Sequence, residues 1–141
     1  MEDLTETTAP SLARTYRDFL YREGYRPEID ADGDVTFKAE GLFCFIDVTP
    51  SDPTYLRVVV PNIWSLDDEQ ERLRAFRVAN EVQRELKGLK ITFAPHDDTW
   101  IATEVFLEDE DAFENTLMRC VRVLLIGVHR FRDLMRAASL S

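Results

Sequence analysis

Apolar residues recur at intervals of three and four along residues 73–86: Leu73, Phe76, Ala79, Val82 and Leu86 fall on one helix face, and Arg74, Arg77, Glu81 and Arg84 on the other. Gly88 then stops the helix, because glycine reaches φ > 0 at little cost. Leu89, Ile91 and Phe93 alternate with Lys90, Thr92 and Ala94, as a strand with one buried face requires. Asn80 and Gln83 are polar inside the apolar arc. Either they hydrogen-bond the backbone of a partner, or they satisfy a nearby carbonyl at the sheet edge, and the usual pairing of buried polar groups within their own chain favours the second. Upstream, residues 65–68 read as a capping box, with Asp67, Asp68 and Glu69 at the positive helix end. Trp64, just before, either plugs the end of the core or anchors a partner.

The same patterning carries through the chain. A first helix begins at Pro10 or Ser11, presents Leu12, Tyr16, Phe19 and Leu20 on one face, and ends at Gly24. Pro27 opens a strand, and Asp32-Gly33 between Ile29 and Val35 is a strong hairpin signal. Val35, Phe37 and Ala39 alternate with polar residues. Residues 42–48 are apolar on both sides and are expected in the middle of a sheet covered on both faces. Pro50 and Pro53 bracket a turn, and a strand over residues 55–60 ends at Pro61. After a turn at residues 95–98, Trp100, Ala102 and Phe106 line one side of a last strand and Ile101, Val105 and Leu107 the other.

Residues 109–111 open the longest helix, whose arc is Phe113, Leu117, Cys120, Val121, Leu124, Val128, Phe131 and Met135. On its outer side Met118 and Leu125, with Ile126 nearby, stand among Arg119, Arg122, His129 and Arg132, the pattern of an apolar anchor with a charged rim. Either these residues meet a second subunit or client, or the first helix buries them. The resulting order, αβββαββα, predicts an α+β domain: an antiparallel sheet of about five strands with helices on both faces, the first and third on one and the second on the other.

With 141 residues and 45% hydrophobic content, the chain supports one domain, expected over residues 10–141 behind an acidic tail, residues 1–9, expected to be disordered. A net charge of −10 argues against nucleic-acid and anionic membrane partners, which would repel the average surface. Two cysteines without C-x-x-C spacing fit a reducing cytoplasm better than a disulfide framework or structural zinc. Residues 1–10 lack a signal-peptide pattern, and the apolar run at 121–128 is interrupted by Arg122 and far short of the ~20 residues of a spanning helix.

The tests for chemistry return little. Residues 30–34 alternate acids as a calcium loop does, but Val35 replaces the sharp-turn glycine and Gly41 the bidentate glutamate, so the hairpin turn is the expected reading. His96 and His129 have no neighbouring nucleophile, the carboxylate pairs sit at helix starts where capping explains them, and glycine-rich phosphate loops are absent. No catalytic, metal-ligating or cofactor-binding residue is expected, and no cofactor.

The run Ala79-Asn80-Glu81-Val82 to Arg84-Glu85-Leu86-Lys87, followed by Lys90 and Ile91, resembles the central segment of the YbjN-like family of bacterial sensory transduction regulators, which shares the type III secretion chaperone-like fold. The resemblance implies a non-enzymatic, chaperone-like homodimer that binds an extended or amphipathic segment of a protein or peptide client. A regulatory module in bacterial signal transduction is the alternative, and an unrecognised enzyme comes third. The candidate partner-binding residues are Trp64, Phe76, Asn80, Gln83, Met118, Leu125 and Ile126.

Overall fold

A computed structural model describes residues 11–93 and 98–140, with side chains through residue 138. The expected acidic tail, and His96 within the expected turn, lie outside the described residues. The chain runs α1 (Ser11–Arg22), β1 (Glu28–Ile29), β2 (Val35–Ala39), β3 (Leu42–Ile46), β4 (Tyr55–Val60), α2 (Glu69–Glu85), β5 (Leu89–Phe93), β6 (Thr99–Phe106), one 3-10 turn (Glu110–Ala112) and α3 (Phe113–Leu140). Four strands precede α2: the strand expected after Pro27 is present as the two-residue β1 paired with β2, although the order αβββαββα counted only three there.

All six strands form one antiparallel sheet in the order β1-β2-β3-β4-β6-β5. The β1–β2 hairpin forms at the predicted place: Asp30 Oδ1 accepts from the backbone N–H of Asp32 at 3.0 Å and of Asp34 at 2.9 Å, and Gly33 takes a φ of 86°. These bonds give the Asp30 carboxylate a structural use inside its own turn. Strands β1 to β4 follow one another as a meander. The chain then leaves through α2, returns as the edge strand β5, and inserts β6 between β5 and β4.

One sheet face carries the core. Val35, Phe37, Cys44, Ile46, Leu56, Val58 and Ile101 are buried on it beneath the helices. Helix α3 crosses β4, β6 and β5, and its whole predicted arc from Phe113 to Met135 is buried. Gly127 marks the closest approach: a Cβ there would stand 2.7 Å from Ile101 Cδ1 and 2.8 Å from Leu89 Cδ1. At the other end of this face α1 packs on β1 and β2, and its Tyr16 and Phe19 meet Phe113 edge-on at 5.1 and 5.4 Å.

Helix α2 departs from the expectation of helices on both faces. It packs against α3 and along β5, so the helices share one side of the sheet. The cause lies in its buried stripe of Ala75, Val78, Ala79 and Val82, small side chains that bring it close to a neighbouring helix and offer little area to cover a sheet. Leu73 and Phe76, counted in the sequence arc, fall beside that stripe and remain 46% and 43% exposed. The N-cap also differs from the expected box at residues 65–68. Asp68 accepts from Glu71 N–H at 2.8 Å, and the Glu71 carboxylate reaches back to Asp67 N–H at 3.1 Å.

Candidate functional site

With all the described helices on one side, the second sheet face carries no helix among the described residues. Register places Thr36, Phe45, Val59, Ala102 and Lys90 in one row across it. Next to that row an aromatic cluster forms: Phe45 lies 6.5 Å from Phe43 and meets Trp100 edge-on at 6.0 Å. Val59 and Ala102 are buried within this row, while Phe43 is 47% exposed. β3 is thus interior to the sheet yet covered on one face only, which corrects the expectation drawn from its two-sided apolar sequence. A second aromatic pair, Tyr55 and Phe106 at 5.7 Å, stands at the far end of β4 and β6, with Phe106 81% exposed.

A polar network lies between the aromatic groups. Arg57 Nη1 pairs with Asp47 Oδ2 at 2.8 Å, Lys90 Nζ pairs with Glu104 Oε1 at 2.9 Å, and Tyr55 donates its hydroxyl to Glu104 Oε2. Desolvation and then the bond to Glu104 push the Tyr55 hydroxyl up to about 12. The same bond, followed by Lys90, holds the Glu104 carboxyl below its ordinary range. These are charge-assisted hydrogen bonds that fix cross-strand orientation. They provide no unpaired base or nucleophile.

A separate cleft of about 600 Å³ opens between the α2–β5 turn, the end of β6 and α3. Leu86, Val105, Val123 and Ile126 make it apolar, and Lys87 and Arg119 contribute its cations. At its inner side, buried Thr103 Oγ1 makes no hydrogen bond of ordinary geometry, and the Cys120 thiol, pushed up by burial, lies nearby. Both Cys44 and Cys120 are free and buried, and burial pushes Cys44 up to about 11, far from the reactive thiolate form. Among the described residues no cluster of His, Cys, Asp and Glu is placed to hold a metal ion.

The seven residues singled out from the sequence do not converge. Trp64 is half-buried against Phe131 at 6.4 Å and donates Nε1–H to Glu71 at 3.2 Å, closing the end of the core. Phe76 packs edge-on against Phe93 at 4.8 Å. Gln83 is satisfied within its own chain, as favoured, but at the sheet edge it accepts from the Ile91 backbone N–H, and the carbonyl it meets is Ala79 O in α2; Asn80 is exposed. Met118 and Leu125 are half-buried against the core, and Ile126, 55% exposed, sits on the other flank of α3 as part of the cleft. Sequence reasoning passed over Phe43, Phe45, Tyr55 and Trp100 as surface groups. Alternation did place Trp100, Ala102 and Phe106 together, but only tertiary packing shows that no helix covers them.

Residues 12–138 match the family described as T3SS (YopN, CesT) and YbjN peptide-binding chaperone 1, and the chain belongs to that family. No curated protein matches it. A crystal structure of an uncharacterized protein from Methanothermobacter thermautotrophicus superposes with a TM-score of 0.57 at 12% sequence identity, covering 86% of this chain and 97% of that one. At that identity the likeness is one of fold. No helix of the described residues is long and apolar enough to cross a membrane.

Proposed function

We propose that the protein is a non-enzymatic chaperone that holds an extended or amphipathic segment of a client protein against the open sheet face. The observation that carries this reading is the aromatic cluster of Phe43, Phe45 and Trp100, with exposed Phe106 at the far end of the same face, where no helix is described. Such rings give large apolar contact at small entropic cost, and the neighbouring Asp47, Arg57, Glu104 and Lys90 form a polar margin. Membership in a peptide-binding chaperone family supports the same reading. The cytoplasm is the proposed compartment, in keeping with two free buried thiols. A homodimer is proposed as the working form, with half-buried Met118 and Leu125 of α3 at the subunit contact.

An array of immobilised peptides drawn from unrelated proteins tests the client reading. The wild-type chain is expected to retain apolar and aromatic segments, and a Phe43→Ser, Phe45→Ser double variant to lose at least tenfold in affinity while still melting cooperatively. Equal retention by the variant removes the open face as the site. Absence of retention by the wild type removes the chaperone reading. For the dimer, light scattering of Leu125→Glu should give a folded protein of half the wild-type mass, and a wild type that is monomeric at the outset refutes it.

A further inference from the structure

The cleft beside α3 is remote from the open face and has its own chemistry. Strand β6 is longer than its edge neighbour: Leu89, the first residue of β5, stands opposite Thr103, whereas residues 104–106 pair only with β4 through Arg57, Leu56 and Tyr55. Beyond Thr103, β6 therefore has no strand partner on its β5 side among the described residues, and the cleft is lined there by Thr103 and Val105. Its apolar groups come from three elements: Leu86 from the end of α2, Val105 from β6, and Val123 from α3.

Two further observations point to what would fit there. Lys87 and Arg119 make no ion pair among the described residues, while Glu85, the carboxylate of the cleft lining, is held by Arg130. In a chain of net charge −10, two unpaired cations beside one apolar cleft are a local reversal of sign. The second is Thr103 Oγ1, buried in the cleft lining beside the Cys120 thiol without a hydrogen bond of ordinary geometry, a polar group at the inner wall of an otherwise apolar cleft.

We propose that this cleft is a second docking site, for an extended peptide segment that runs beside residues 104–106 as an added strand, seats an aliphatic side chain among Leu86, Val105 and Val123, and sets acidic side chains against Lys87 and Arg119. The inference rests on the reading of the chain as a peptide-binding protein, at a surface separate from the aromatic face. An extended occupant follows from the strand edge, which offers backbone groups at strand spacing. Acidic flanks follow from the unpaired cations, and specificity against basic segments from the same charges.

Fluorescence anisotropy with labelled, acetylated and amidated decapeptides tests the proposal, since amidation leaves side chains as the source of carboxylate. Three probes share a central valine-leucine-valine and differ in acidic, neutral or basic flanks. The acidic probe is expected to bind at least tenfold tighter than the basic one, and Lys87→Glu with Arg119→Glu, both on the surface, to invert that order. Val123→Asp should abolish the preference for the acidic probe, and Phe43→Ser with Phe45→Ser should leave that preference intact. N-methylation of alternate probe amides should weaken binding by tenfold or more in one register only.

Equal affinity for the three probes, or charge reversal without inversion, overturns the proposal. Loss of binding in the Phe43 and Phe45 variant with retention in Val123→Asp assigns the peptide to the open face, which leaves the chaperone reading standing and this site refuted. If no probe binds and Arg119→Glu instead halves the mass of a wild-type dimer, a second copy of the chain covers the cleft and the proposal also fails.

Discussion

Gln83 closes the outer edge of the sheet: its Oε1 accepts from the Ile91 backbone N–H at 3.0 Å while its Nε2 donates to Ala79 O at 3.0 Å, tying α2 to β5. An edge strand with free N–H groups is a template for unwanted pairing, and a side chain that occupies one blunts it. Gln83→Leu is expected to cost about 1 kcal/mol, the worth of a hydrogen bond whose partner is left behind. Amide exchange at Ile91 should accelerate, with a melting temperature lower by about 3 °C. Unaltered exchange at Ile91 would show that the bond protects nothing.

Gly127 is the position where α3 tolerates least. Ile101, whose Cδ1 would lie 2.7 Å from an added Cβ, is fully buried, whereas Leu89 at the edge is half-buried. Gly127→Val is expected to destabilise the fold by about 1–3 kcal/mol through overpacking, even though valine is the better helix former. Denaturant melts of this variant should show a lower midpoint at unchanged slope. A midpoint at or above wild type would mean that α3 slides on the sheet without penalty.

Adjacent residues of β3 should respond in opposite ways to the same charge. Ile46 is buried beneath the helices, so Ile46→Asp places a carboxylate in the core and is expected to abolish cooperative melting. Phe45 is half-buried on the open face, where water reaches a substituted side chain. Phe45→Asp should remain folded, less stable by the lost contact with Trp100 and the shielding of Val59. Circular dichroism melts of the pair decide this, and an unfolded Phe45→Asp would mean that the face is covered.

The Tyr55–Glu104 bond defines a pH window. Glu104 has its folded pKa lowered from an ordinary 4.5, so its contribution is present above that value and is lost as pH falls through the lower folded one. Tyr55 is raised from 10.0 to about 12, so its contribution is present below 10.0 and is lost as pH rises through about 12. Glu104→Gln should therefore lower the melting temperature between these limits and converge with wild type in acid. A difference between the two proteins that does not depend on pH would contradict the assignment.

Local chemistry was legible in the sequence wherever it depended on neighbours along the chain. The Asp32-Gly33 hairpin and the α3 arc follow from φ preference and from periods of 2 and 3.6, which a short window contains; Gly88 does take a positive φ, but in the turn into β5, since α2 already ends at Glu85 with an extended Leu86. The run Ala79 to Ile91 carried the family resemblance, and the family match over residues 12–138 agrees with it. Which faces meet was decided only in three dimensions. The apolar residues of 42–48 look the same whether a helix or an aromatic neighbour covers them, and Leu73 and Phe76 differ from Val78 only in how α2 is rotated against α3. The cleft depends on β5 ending opposite Thr103 while β6 continues, a difference in strand length that arises from pairing between segments and is not written in either one. Long-range register and helix rotation are set by the packing of the whole core, so no window of sequence contains them.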